Sequence, residues 1–272
     1  MNKLNIPEFK EKKELFDFLI ENKATLEAQK KAETKHADSF SYSLHYFDKQ
    51  TKSFKAEPNN EPENGEELKV RVVINTTKIL DSHFDVHIDG LWKKSLSENK
   101  NILFLQEHEM KFDKIISDQS EIKAFVQNYT WNQLGFDYQG STQALVFDAT
   151  INKSRNEFMF KQYAKGFVKN HSVGMRYVQI VMAIDNPDYG AEFEAWEKYY
   201  PMIVNQEDAD NRGYFWAVKE AKIIEGSAVL LGSNIATPTI SVSAKLEPPI
   251  GTQKAIKEPS YEDTLKYLVQ NY

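Results

Sequence analysis

The residues His-Ser-Val-Gly-Met-Arg-Tyr at 171–177 set a small hydroxyl and a glycine inside a run of bulky side chains. That pairing marks either a tight packing corner or a serine presented to a substrate. A serine attacks a carbonyl only when a base takes its proton. The usual base is a histidine oriented by a third group, often a carboxylate. The chain offers His36, His45, His83, His87, His108 and His171. His108 has the most suggestive setting, just past the apolar run 102–105 and followed by Glu109. His171 adjoins Ser172, and neighbours on a strand point to opposite faces, so it is poorly placed to serve that serine. The carboxylate candidate is Glu225, which follows an apolar run and precedes Gly226 and Ser227. A bland reading stands beside each: a packing corner at Ser172, a half-exposed strand-edge histidine at 108, a solvated glutamate at 225.

A second cluster suggests other chemistry. His83 and His87 form H-x-x-x-H, which on a helix could bind a metal. Asp81, Asp85 and Asp89 indicate a loop there instead, and so short a pattern is weak alone. A metal-dependent hydrolase built on His83, Asp85 and His87 is therefore a minor alternative. There is no G-x-S-x-G elbow and no P-loop. The chain has no cysteine, which excludes disulfides, cysteine nucleophiles and thiolate zinc sites. No cofactor is expected.

These side chains need a scaffold, and the composition can supply one. The chain has 272 residues, 41% of them hydrophobic and 12% aromatic, enough to bury a substantial core. A net charge of −6 argues against a nucleic-acid binder. The N-terminus shows no apolar signal region, and no apolar run approaches the roughly 20 residues of a membrane span, so neither is expected. Residues 7–36 read as one or two amphipathic helices, either packed on the body by one face or serving as a detachable arm. Strands are expected at 39–48, 68–77, 101–110, 141–151, 173–184 and 214–224, with further strands at SAVLL and TISVSAKL. Residues 57–67 and 81–90 read as loops, and 119–134 and 156–170 as helices. Residues 185–212 look like an excursion holding one short helix, and a capping signal at Ser260 suggests a short terminal helix. The resulting division is a helical arm (1–38), a main domain (39–246, with 185–212 inserted) and a tail (247–272). The fold class is α+β, mainly antiparallel and mixed strands with helices between them.

Four segments in order carry a resemblance: LDSHFDVHIDGLWKKSL, ILFLQEHEMKFDKIISD, KGFVKNHSVGMRY and VKEAKIIEGSAVLLGSNIATPTISV. Together they resemble the prohead maturation proteases of tailed bacteriophages, the HK97-like serine proteases, which are related in fold to the herpesvirus assembly proteases. The likeness covers residues 70–245. Each motif is weak alone; the four in order are fairly specific. The resemblance implies a β-barrel-like, herpesvirus-protease-like sheet flanked by helices. It also implies Ser172 as nucleophile, His108 as general base and Glu225 as third member, although related viral proteases use a second histidine there. The gap from Ser172 to Glu225 is longer than the family pattern, and the 185–212 excursion accounts for it. That excursion could cover the site or bind a partner.

The implied activity is a serine endopeptidase that cleaves the scaffold segment of the major capsid protein, and itself, inside the assembling prohead in the host cytoplasm. Self-cleavage is expected before about Ser39 or after Pro248, because exposed tails are easiest to nick. The N-terminal helix would be a delivery arm. The implied partner is the capsid protein. Related viral proteases are activated by dimerisation, but no feature of this sequence settles the oligomeric state, so a homo-oligomer stays open; neither nucleic acid nor membrane is expected. The alternative is a non-proteolytic capsid assembly or scaffold protein that keeps the fold.

Overall fold

The computed structural model describes residues 4–32 and 66–243. The strand expected at 39–48, most of the 57–67 loop and the helix expected after Ser260 lie outside the described residues.

Two sheets make the body. The first has the order β5 (Ile122–Thr130), β6 (Ser141–Asn152), β1 (Glu67–Thr76), β9 (Thr239–Ser243), all antiparallel neighbours. The second is built on β8 (Tyr214–Val229). One side of β8 pairs antiparallel with β7 (Asn170–Ile184). The other side pairs parallel with β2 (Asp85–His87) and, further along, with β3 (Leu103–Gln106), which carries β4 (Ile115–Ser117). The α+β class holds, with antiparallel and mixed sheets. Among the described residues the sheets do not close into a barrel, which corrects the barrel-like expectation.

Alternation explains how the sheets pack. Val70, Val72 and Ile74 of β1 and Leu145 and Phe147 of β6 face one shared core with Val173, Met175, Trp216 and Ile223 of the second sheet. The opposite face of the first sheet carries the bidentate pair Arg71–Asp148, with contacts of 2.6 and 2.7 Å. It also carries a separate aromatic cluster around Trp131. Gly226 belongs to the shared core, since a Cβ there would meet Phe147 at 2.6 Å and Ile74 at 2.9 Å.

The N-terminal helices α1 (Lys12–Glu21) and α2 (Lys23–Ala32) bury Phe16, Leu19 and Leu26 in that same core. Lys30 of α2 forms an ion pair with the fully buried Asp85. These helices are thus part of the body's packing. The inserted segment holds two α-helices rather than one, α5 (Gly190–Tyr199) and α6 (Gln206–Arg212), besides two 3₁₀ turns. Ala195, Trp196, Tyr199 and Ala209 cover Ala183, Phe215 and Ala217. That is the end of β7–β8 remote from Ser172, about 40 Å along the strand at the usual rise per residue. The insertion therefore packs on the sheet's far end and does not cover Ser172.

Three further sequence expectations need correction. Residues 119–134 are not helical. Residues 122–130 pair continuously with β6, while Ile122, Ala124 and Val126 pack on the core. The helix-like signal at the end is a capping box, Thr130 with Gln133, which starts only a single turn of 3₁₀ helix that stops at Gly135 in the left-handed region. SAVLL is not a separate strand; most of it continues β8. The 81–90 loop contains the buried strand β2. By contrast, the helix expected at 156–170 forms as α4 (Glu157–Ala164), capped by the Asn156 side chain. The remaining short helix, α3 (Lys93–Glu98), follows β2.

Candidate active site

Register brings the candidate residues together. Ser172 of β7 lies opposite Ser227 of β8, and Gly174 opposite Glu225. Leu105 of β3 lies beside Ser227 on the other side. Residues 172, 174, 225 and 227 therefore share one face, because side chains two apart on a strand point the same way. Their neighbours Val173 and Gly226 point into the core between the sheets. β8 sits between β7 and β3, so the strand bearing Glu225 is the centre of the site. Ser172 and His108 therefore do not come from adjacent strands.

His108 is not the last residue of β3. The strand ends at Gln106, and Glu107 and His108 both take positive φ, 54° and 60°. A hydrogen bond from Glu109 N–H to Gln106 C=O, 3.0 Å, closes the turn. Two residues at positive φ inside such a bond are the pattern of a primed turn, which normally prefers Gly or Asn. Side-chain-bearing residues there cost on the order of 1–2 kcal/mol each. Glu107 N–H donates to Ala228 C=O at 2.9 Å, and His108 N–H donates to Ser227 Oγ at 3.1 Å. These bonds hold the turn against the end of β8 and aim the imidazole back over the sheet.

There it meets Glu225. His108 Nδ1 lies 2.6 Å from Glu225 Oε1. A carboxylate oxygen can only accept from it, so Nδ1 carries a proton, and in the neutral ring the lone pair is on Nε2. Ser227 Oγ donates to Glu225 Oε2, also at 2.6 Å. Both carboxylate oxygens thus have donors, as a fully buried carboxylate requires. The solvated strand-end reading of Glu225 is wrong.

Gly174 explains why the glycine stands two residues after the serine. A Cβ there would lie 1.9 Å from Glu225 Oε1 and 2.7 Å from its Cδ. The carboxylate occupies the space that a side chain at 174 would fill. Ser172, 5% exposed, lies on the same face as this group by register, opposite Ser227. No hydrogen bond joins its hydroxyl to the imidazole among the described residues, and in unliganded hydrolases that bond is often long until substrate binds.

His171 faces the other way, as strand alternation requires. Its Nδ1 lies 2.9 Å from Thr237 C=O and its Nε2 lies 3.0 Å from Tyr163 OH. The carbonyl fixes the proton on Nδ1, and Nε2 accepts from the tyrosine. Burial depresses its pKa from 6.5 to about 4, partly offset by the Thr237 bond. Between those values the unfolded chain binds a proton that the folded chain refuses. Stability is therefore expected to fall as pH drops from 6.5 to 4, by about 3 kcal/mol from this residue. Denaturant unfolding at pH 7 and pH 4 measures it. His171→Gln should remove about that much of the pH dependence, and an equal slope in the variant contradicts it.

The His83–Asp85–His87 grouping is not assembled as a trio. Asp81, His83 and Asp85 place ligand atoms within 4.8 Å of one another, while His87 packs against Trp92 and Tyr177. The carboxylates already have donors. Asp81 Oδ1 accepts from the backbone N–H of His83 and Asp85, and Asp85 accepts from Lys30 and from Tyr177 OH. These bonds account for the acidic residues as a turn and a buried network.

Beside the His108 turn lies a cleft of about 280 Å³ lined in part by Glu107, Phe158, Met159, Phe167 and Leu230. Gln106 and Ala228 also line it. They alternate with Leu105 and Ser227, so the cleft opens on the other side of the sheet from Ser172. Sequence reasoning missed Ser227. The signal was present in its spacing from Glu225, two residues along one strand and so on one face.

Comparison of the chain with family models, curated proteins and solved structures finds no match.

Proposed function

We propose that the chain is a serine endopeptidase with Ser172 as nucleophile, His108 as general base and Glu225 as the carboxylate that holds the imidazole. The observation that carries this reading is the 2.6 Å bond from His108 Nδ1 to Glu225, on the sheet face that also presents Ser172. It fixes the tautomer whose Nε2 can accept a proton. In the acylation step Nε2 takes the Ser172 proton as Oγ attacks the peptide carbonyl. His108 then donates that proton to the leaving amine, and the acyl-enzyme forms. Water attacks in the second step, with His108 again as base, and Ser172 is regenerated. Glu225 stabilises the imidazolium in each step without taking its proton.

The order His, Ser, Glu along the chain, together with the four ordered motifs, supports a prohead maturation protease with a herpesvirus-protease-like fold. On that reading the substrates are the scaffold segment of the major capsid protein and the chain itself. On the same reading the chain works inside the assembling prohead in the host cytoplasm, with the capsid protein as partner. Of the two self-cleavage regions, the one after Pro248 lies outside the described residues, while most of the one before about Ser39 is described and holds α1 and α2, with 33–38 outside. The test is whether Ser172→Ala stops both self-trimming and capsid-protein cleavage.

A further inference from the structure

We infer that Ser227 is a positioning residue for this site, and that its single hydroxyl sets both the Glu225 carboxylate and the His108 turn. Its Oγ donates to Glu225 Oε2 at 2.6 Å and accepts from the His108 backbone N–H at 3.1 Å. One oxygen therefore ties the carboxylate to the backbone of the residue that the carboxylate orients. The ring closes through His108 Nδ1 and Glu225 Oε1. Each of its three members restrains the other two.

The arrangement solves a specific problem. His108 stands at φ 60° beside Glu107 at 54°, a conformation that side-chain-bearing residues resist. The turn needs a fixed anchor, and an exposed anchor would be loose. Ser227 is fully buried and in register with both Ser172 and Leu105, so its Cα position is fixed from both sides. A hydroxyl suits the place because it donates and accepts at once. A carboxylate next to Glu225 would only accept. With alanine at 227, Glu225 Oε2 would be left buried without its donor, and the His108 N–H without its acceptor. Both groups would then move to find partners.

The inference rests on the serine-peptidase reading only for its kinetic half, so it is tested by two measurements. The first is proton NMR of the low-field imidazole N–H signal from His108 Nδ1, recorded on the full chain carrying Ser172→Ala, which needs no turnover. Adding Ser227→Ala is expected to abolish or strongly shift this signal, while the far-ultraviolet circular dichroism remains that of a folded chain. The second is the rate at which a fluorophosphonate labels Ser172 in the otherwise unaltered chain. That rate is expected to fall about 10- to 100-fold, the scale of one lost hydrogen bond to a charged group.

A folded Ser227→Ala chain with an unchanged imidazole signal overturns the inference, even if its melting temperature drops. If alanine does not fold, Ser227→Cys fills similar space with a weak donor. It is expected to show the same loss of signal, and retention overturns the inference equally. A lost signal in a chain that never reacts with the phosphonate would sustain Ser227's role while removing the peptidase.

Discussion

Gly174→Ala is expected to abolish the proposed peptidase activity and to destabilise the fold. The added Cβ would sit 1.9 Å from Glu225 Oε1 and 3.0 Å from its Cγ. Something must move, and little there can. Glu225 is fully buried, pinned by Ser227 on one oxygen and by His108 on the other. Displacing it breaks the bond that fixes the His108 tautomer and leaves a buried carboxylate short of a donor. Spreading β7 from β8 instead would disrupt the longest strand pairing among the described residues. Overpacking alone costs about 1–3 kcal/mol, and an under-bonded buried carboxylate adds to it. The rate should fall about 10³-fold or more, as when a triad member is displaced. Fluorophosphonate labelling reads the first effect and urea unfolding the second. An active, stable Gly174→Ala chain would mean that Glu225 does not lie over β7 in solution.

Glu225→Gln has the second large effect, and here the fold should survive. The amide has nearly the shape of the carboxylate and can still accept from Ser227. Its NH₂ group, however, would face His108 Nδ1 as a donor. Nδ1 would then have to accept, and the proton would move to Nε2. An imidazole in that tautomer cannot take the Ser172 proton, and the stabilising charge is gone as well. The analogous amide replacement in an aspartate triad lowers the rate about 10⁴-fold with the geometry intact. A drop of similar order in single-turnover acylation is expected, with melting temperature changed far less than in Gly174→Ala. A loss of only a few-fold would assign Glu225 a purely structural role.

The legible part of this fold was the part governed by short-range pattern. β1, β6 and β7 alternate or carry long apolar runs, and α4 has its capping asparagine. What failed was decided partly by distant partners and partly by a composition read wrongly. Residues 122–130 hold Ile122, Phe125, Val126, Tyr129 and Thr130, all strand formers, and nine residues of pairing with β6 make them a strand. The halves of β8 look like two strands because Glu225, Gly226 and Ser227 interrupt the hydrophobic run. In the fold those three residues are the centre of the site.

The candidate site was legible as residue types and as order. Its geometry was not. No local signal says that Glu225 is fully buried, that His108 lies beyond its strand at positive φ, or that Gly174 leaves room for a carboxylate. The spacing of Glu225 and Ser227 did carry a usable hint, since residues two apart on a strand share a face.

The most direct test is mass spectrometry of the purified full chain and its Ser172→Ala variant, each incubated alone and with the matching capsid protein. Trimmed wild-type chain and cleaved capsid protein beside an intact variant are the predicted result, and the fragment masses would give the cleavage sites. Trimming that persists in Ser172→Ala would contradict the assignment of the nucleophile. An intact wild type that also leaves its capsid protein whole would contradict the peptidase and favour a capsid assembly protein of the same fold.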